Sequence, residues 1–196
     1  MTSSRSTFRI TFAALTLAVA ATSARADLVR YEMFGEPGNQ VSTAPTFLAT
    51  GLSGVSLARG PGLSPNAGAN SINSAGWSTD PTDFYVMGFD LLPGYTALVN
   101  RLLFAGRSSN TGPGFINVFY SINNAPEVLL SNFALSGTAF NNQDINFAPI
   151  AVSGSLRVYF RAANTTSANG GTIGATGTVR RGDHSPDGGA TFSPIT

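Results

Sequence analysis

The sequence predicts an all-β fold, an antiparallel two-sheet sandwich, and three observations predict it. Residues 155–163, Ser-Leu-Arg-Val-Tyr-Phe-Arg-Ala-Ala, alternate strictly, with Leu156, Val158, Phe160 and Ala162 on one side and Arg157, Tyr159, Arg161 and Ala163 on the other. A period of two in a run rich in β-branched and aromatic residues marks a strand with one face in a core and one near water. Eight to ten such runs recur between Gly, Pro and Asn clusters, at the spacing of a sandwich or a barrel. No window after residue 26 sustains a helical period with caps.

The start of the chain has a separate purpose. Residues 1–9 are polar and carry Arg5 and Arg9, residues 10–21 are apolar apart from two threonines, and Ala24-Arg25-Ala26 offers small residues where a signal peptidase reads. This is the pattern of a secretory signal peptide over residues 1–26, cleaved before Asp27. A membrane anchor needs about 18 apolar residues, more than this run supplies. The expected product is a secreted or cell-surface protein in which residues 27–196 form a single β-sandwich domain with no transmembrane segment.

Composition narrows the function classes. The whole chain has 11 basic and 10 acidic residues; Arg5, Arg9 and Arg25 leave with the leader, so the mature domain is slightly acidic. It has no basic patch, which argues against nucleic acid and anionic membrane as partners. Cysteine is absent, which excludes thiolate zinc sites and thiol nucleophiles and leaves stability to packing. Lysine is absent too, which removes Schiff-base and Ser-Lys chemistry. Charged residues make up only 11%, against an average of about 25%, so amides and hydroxyls keep the surface soluble.

In chain order, residues 28–34 read as the first strand, stopped by the turn cluster at 35–39. A short strand covers 55–59. Residues 60–78 read as one long irregular loop around Trp77, and loops of that length are usually functional or disordered. Residues 84–89 are apolar on both faces, as a central strand would be. Residues 97–107 and 115–122 are further strands; 128–135 and 144–147 are shorter ones. After 155–163, the turn-rich stretch ending in Asn169-Gly170-Gly171 leads to a run at 172–181, and the two runs are expected to pair as an antiparallel hairpin. A last short strand is expected around Phe192.

Candidate sites are few. His184, the only histidine, has Asp183, Ser185 and Asp187 beside it. A Ser-His-Asp triad is assembled from distant segments on a rigid platform, and a Gly-rich tail is not one. Glu32, Glu36, Asp80, Asp83, Asp90, Glu127 and Asp144 supply carboxylates without the paired arrangement a glycosidase needs. No catalytic or cofactor motif is present, and the expectation is a protein that is not an enzyme. Oxygen-rich loops do suit calcium, and Asp80 with Asp83 and Asp183 with Asp187 are the candidate ligands; Asp is also an ordinary turn former. Trp77, the sole tryptophan, either plugs the end of the core or offers a ring face to a sugar, the first being the commoner role. Tyr95 and Tyr159 are open to the same two readings. Arg59, Arg107 and Arg161 suit hydrogen bonds to loop carbonyls.

Several tracts resemble the exported domain of bacterial PEP-CTERM sorting-domain proteins: Gly-Pro-Gly-Leu-Ser-Pro-Asn-Ala-Gly at 60–68, Asn-Ser-Ile-Asn-Ser-Ala-Gly-Trp at 70–77, Pro-Gly-Tyr at 93–95, Gly-Arg-Ser-Ser-Asn-Thr-Gly-Pro at 106–113 and Gly-Thr-Val-Arg-Arg-Gly-Asp at 177–183. The resemblance implies a jelly-roll-like sandwich of galactose-binding-like or lectin-like kind, exported and surface-associated, and it carries no catalytic residues. The sorting tail of such proteins, a Pro-Glu-Pro motif with an apolar helix and basic end, does not appear before Thr196. The resulting expectation is a non-enzymatic β-sandwich with a structural or extracellular-matrix role. The alternative is a carbohydrate-binding module using loop aromatics, with extracellular polysaccharide or matrix as partner.

Overall fold

Alternating sequence becomes alternating burial where the pattern is strictest. In a computed structural model, which describes residues 27–137 and 139–184, strand β13 (Ser155–Ala162) buries Leu156, Val158, Phe160 and Ala162 and turns Arg157, Tyr159 and Arg161 outward. The strands before it are β1 (Val29–Arg30), β2 (Pro37–Gly38), β3 (Ser42–Thr43), β4 (Phe47–Leu48), β5 (Leu52–Arg59), β6 (Ser64–Pro65) and β7 (Ser71–Ala75). Next come β8 (Phe84–Leu91), β9 (Ala97–Ser108), β10 (Phe115–Ile122), β11 (Val128–Ala134) and β12 (Asn141–Val152). Strand β14 (Val179–Gly182) closes the described chain. The leader at 1–26, Asp187 and the expected strand around Phe192 lie outside the described residues.

These strands form an all-β sandwich. One sheet has the order β11-β10-β13-β8-β5-β3, the other β12-β9-β14-β7-β2 with β6 also on β7, and β1 pairs with β4 apart from both. Pairing is antiparallel except between β2 and β7, which is parallel. Strand β8 lies between β13 and β5, the central place its two apolar faces predict. The core fills the space between the layers with rings meeting edge to face: Trp77 on Tyr85 at 5.1 Å, and Phe104 of β9 on Phe160 of β13 at 5.1 Å. The buried Tyr85 hydroxyl donates to the Val179 carbonyl across the layers at 2.8 Å, and burial raises its pKa.

Several expectations need correction. The short strand expected over 144–147 is β12, which runs over 12 residues from Asn141 to Val152. The 172–181 run does not pair with 155–163: β13 pairs with β10 and β8, whereas β14 pairs with β7 and β9 in the other sheet. The Asn169-Gly170 turn does form, with Gly170 at a φ of 85°, but it closes only the Thr166–Thr172 bridge. Gly174 then donates to the Thr111 carbonyl at 2.8 Å, and the chain crosses to the second layer. Residues 60–78 are not one irregular loop either. Residues 71–75 within them form β7, with Ser71, Ile72, Asn73 and Ser74 all buried. Its polar side chains find partners within the loop that precedes it: Ser71 Oγ donates to the Gly68 carbonyl at 2.6 Å and Asn73 Nδ2 to the Ala67 carbonyl at 2.7 Å. The strand expected over 28–34 shrinks to Val29–Arg30, because side chains anchor the rest of the segment.

That anchoring centres on a buried cation. Arg181 is 6% exposed, its guanidinium 5.3 Å from the Phe104 ring centre and 5.0 Å from that of Phe160, one ring from each sheet. Burial pulls its pKa down to about 10, opposed by Tyr31, Asp183 and Tyr85. Two positions on, Asp183 accepts the Met33 N–H at 2.8 Å and the Phe34 N–H at 3.2 Å. Tyr31 donates to the Val55 carbonyl at 2.5 Å and accepts the Gly88 N–H at 3.1 Å. The N-terminal segment is thus tied to both layers.

Burial raises the Asp183 pKa above its ordinary 3.8, with the Met33 N–H pulling the other way. The folded state therefore holds this proton more tightly than the unfolded chain, and the Asp183 contribution to stability, full below 3.8, is lost as pH rises through the folded value. Urea unfolding across pH 3–7 should show this decline in the parent, and it should be missing from the Asp183→Asn variant. A difference between the two that stays constant with pH would contradict the assignment.

Candidate functional site

The exposed face of the β13 sheet collects aromatic and polar side chains in two adjacent rows. Register aligns Phe119, Tyr159 and Val86 across β10, β13 and β8, and beside them Asn132, Asn117, Arg161 and Phe84 across β11, β10, β13 and β8. Residues directly opposite in register share a face, and here it is the one turned from the core, since their neighbours Val118, Phe160 and Tyr85 are buried. The face is open to solvent: Phe119, Tyr159, Phe84 and Val86 are all half-buried, and Phe115 and Leu129 at its margin are 39% and 56% exposed.

Fixed polar groups border the rings. Arg161 forms a two-pronged pair with Glu127, at 3.1 and 2.7 Å, and also donates to the Pro81 carbonyl. Its guanidinium lies 4.7 Å from the Phe84 ring centre and 5.4 Å from that of Tyr159, and these two rings meet edge to face at 5.4 Å. A Cβ on Gly60 would fall 2.7 Å from the Phe84 ring, so this close approach needs glycine. Asn132 donates to Asn117 Oδ1 at 2.8 Å. Arg157 bonds Asp90 at 2.7 Å and the Phe89 carbonyl at 2.9 Å on the same sheet. With side chains 18% and 31% exposed, Arg161 and Glu127 still reach solvent, and an ion pair so placed adds about 0.2–1 kcal/mol to stability. Its chemical content is positional: a planar fork of donors and acceptors held beside aromatic surface.

Of the residues singled out from sequence, Tyr159, Arg161, Glu127 and Asp90 lie on this face, and the rest fall elsewhere. Trp77 is 3% exposed, its Nε1 donates to the Ser74 carbonyl at 2.9 Å, and its ring packs on Tyr85. It is the core plug, and its burial removes it as a ligand platform. Asp80 accepts the Thr82 N–H and hydroxyl at 2.8 and 2.6 Å, and these bonds lower its pKa. The buried Asp83 accepts the Ser78 hydroxyl at 2.5 Å. Asp183 is occupied by Met33 and Phe34. Asp80 and Asp83 close one turn around Ser78, whose hydroxyl accepts the Asp80 N–H at 3.0 Å, while Asp183 holds the N-terminal segment; the described residues contain no cluster of three or more His, Asp or Glu able to hold a metal ion. Tyr95 is 46% exposed at the far end of β8. Arg59 meets its expectation, donating to the Gly38 carbonyl at 2.6 Å, the Asn73 carbonyl at 2.9 Å and the Gln40 carbonyl. Tyr159 stands at the centre of the aromatic row, with Arg161 in the row beside it. Sheet order alone brings Phe119, Phe84 and Glu127 to them, and no single run of sequence shows it.

No protein-family model matches the chain, and no curated protein does. Among solved structures it resembles a mutant carbohydrate binding module of family 29, with 12% identity over 85% of this chain and 99% of that one and a TM-score of 0.43. A mutant family 29 module complexed with mannohexaose matches with 11% identity over 79% of this chain and 89% of that one, also at 0.43. A third mutant of that module matches with 12% identity over 84% and 97%, at 0.44. Likeness at this level transfers neither ligand nor residue role to this chain.

Removing the Trp77 indole should open a core cavity and cost about 3–5 kcal/mol. Chemical unfolding of Trp77→Ala checks this, and a loss below about 1 kcal/mol would contradict its burial.

Proposed function

We propose that the protein is an exported, non-catalytic β-sandwich that binds extracellular polysaccharide or matrix glycan through the Tyr159 face. One observation carries the reading: an open sheet face on which the Phe119–Tyr159–Val86 row lies against the Asn117–Arg161 row, with Glu127 and Asn132 already bonded into place. A sugar ring presents C–H surface on its faces and hydroxyls around its rim. Half-exposed aromatic rings suit the first, and a carboxylate, a guanidinium and amides at fixed positions suit the second. Because the polar groups are held by one another before any ligand arrives, little ordering entropy is lost on binding. An open face favours an extended chain over a single enclosed sugar. The leader at residues 1–26 and the resemblance to exported surface domains fit this setting.

The test is calorimetric titration with cellohexaose, mannohexaose and xylohexaose as probes. At least one should bind, Tyr159→Ala and Glu127→Ala should each weaken it by tenfold or more, and Trp77→Phe should leave it unchanged. No binding to any of the three, or binding that survives Tyr159→Ala, would refute the proposal; far-ultraviolet circular dichroism confirms that each variant folds.

A further inference from the structure

The outer face of the other sheet carries a different imbalance. Arg180 on β14 and Arg107 on β9 are direct cross-strand partners, so both side chains leave the same face. Like charges so opposed repel. Arg180 is fixed in place: its Nε donates to Ser71 Oγ at 3.2 Å, a terminal nitrogen donates to the Ala69 carbonyl at 2.5 Å, and the guanidinium stacks 5.2 Å from the Phe140 ring centre. Arg107 has no such support. Its Nε is buried without a partner, and no hydrogen bond or ion pair reaches its guanidinium among the described residues. The ion pairs of the described residues use Arg30, Arg101, Arg157 and Arg161 instead.

The contrast within β9 is informative. Arg101, six residues before Arg107, is matched by both oxygens of Asp144 at 2.7 Å, whereas among the described residues nothing negative answers Arg107 and Arg180. Burial first, and the Arg107 charge second, hold the Arg180 pKa below the usual arginine range. Two adjacent guanidinium groups, one pre-positioned and one with unused donors, form a receptor for an anion with several acceptor oxygens. We propose that Arg107 and Arg180 bind a tetrahedral oxyanion, the sulfate or phosphate ester group of a ligand. This site is on the opposite outer face from Tyr159 and is independent of what binds there.

The experiment follows the arginine Nε–Hε signals of the full chain by NMR during titration with sodium sulfate and with sodium phosphate, against sodium chloride at matched ionic strength. The Arg107 and Arg180 signals should shift saturably with the oxyanions, while that of Arg101 stays fixed. Affinity should fall tenfold or more in Arg107→Gln, and likewise in Arg180→Gln, which covers a folding failure of the first. Arg107→Gln should also be at least as stable as the parent in chloride alone, because it removes a repulsion, and sulfate should no longer raise its unfolding midpoint. Glucose 6-sulfate and glucose 6-phosphate then show which ester is the source. Equal shifts with chloride, shifts unaffected by either substitution, or no shift at all would overturn the assignment.

Discussion

A guanidinium packed against two phenylalanine rings that also touch each other sets the arrangement on which the rest depends. Arg181 belongs to one sheet with Phe104, and Phe160 belongs to the other, so the cation bridges the layers where a sandwich would ordinarily place an aliphatic side chain. Removing such a charge from water costs several kcal/mol, and two desolvated ring contacts at about 2 kcal/mol each offset part of that. The remainder falls to Asp183, Tyr31 and Tyr85, whose charge or polarity opposes the burial effect. Two of these three bind the N-terminal segment: Tyr31 is part of it, and Asp183 caps it through Met33 and Phe34. Docking of this first stretch is therefore linked to the electrostatics of the core.

Fixing which residues face inward also fixes which face outward. With Phe160 committed to the Arg181 contact, the alternation of β13 turns Tyr159 and Arg161 to the surface, and register supplies their neighbours from β10 and β8. The two outer faces then differ in kind. One has its charges matched, Arg161 to Glu127 and Arg157 to Asp90, around aromatic surface. The other matches Arg101 to Asp144 but leaves two neighbouring arginines with no acid among the described residues. A neutral ligand of mixed polarity suits the first and an anion the second.

Much of this was legible before any coordinates. The strands β9, β10 and β13 follow from period-two alternation and β8 from a run apolar on both faces, and their observed bounds differ from the expected ones by two residues or fewer. Other features were not readable, for definite reasons. Ser71–Ala75 has a polar residue on each side, Ser71 and Asn73 on one and Ser74 on the other, so it carries no hydrophobic period; its burial depends on carbonyls of the loop before it and on Arg59, which donates to Ser74 Oγ at 2.7 Å. The Asn169-Gly170 turn is a true turn, but the glycines after it allow the chain to change layers, and local signals do not separate that from a hairpin. Tyr159 and Arg161 were assigned to the water-facing side from sequence alone. Their grouping with Glu127, Phe119 and Phe84 depends on strand order, which no single run encodes.

The most direct test of the whole account is a backbone amide NMR titration of the folded chain with the tightest-binding hexasaccharide. The perturbed signals should trace the two rows across β10, β13 and β8, with Asn117, Phe119, Tyr159 and Arg161 moving most and Trp77 unmoved. Perturbations centred on the loop around Trp77, or an unchanged spectrum at saturating sugar, would contradict it.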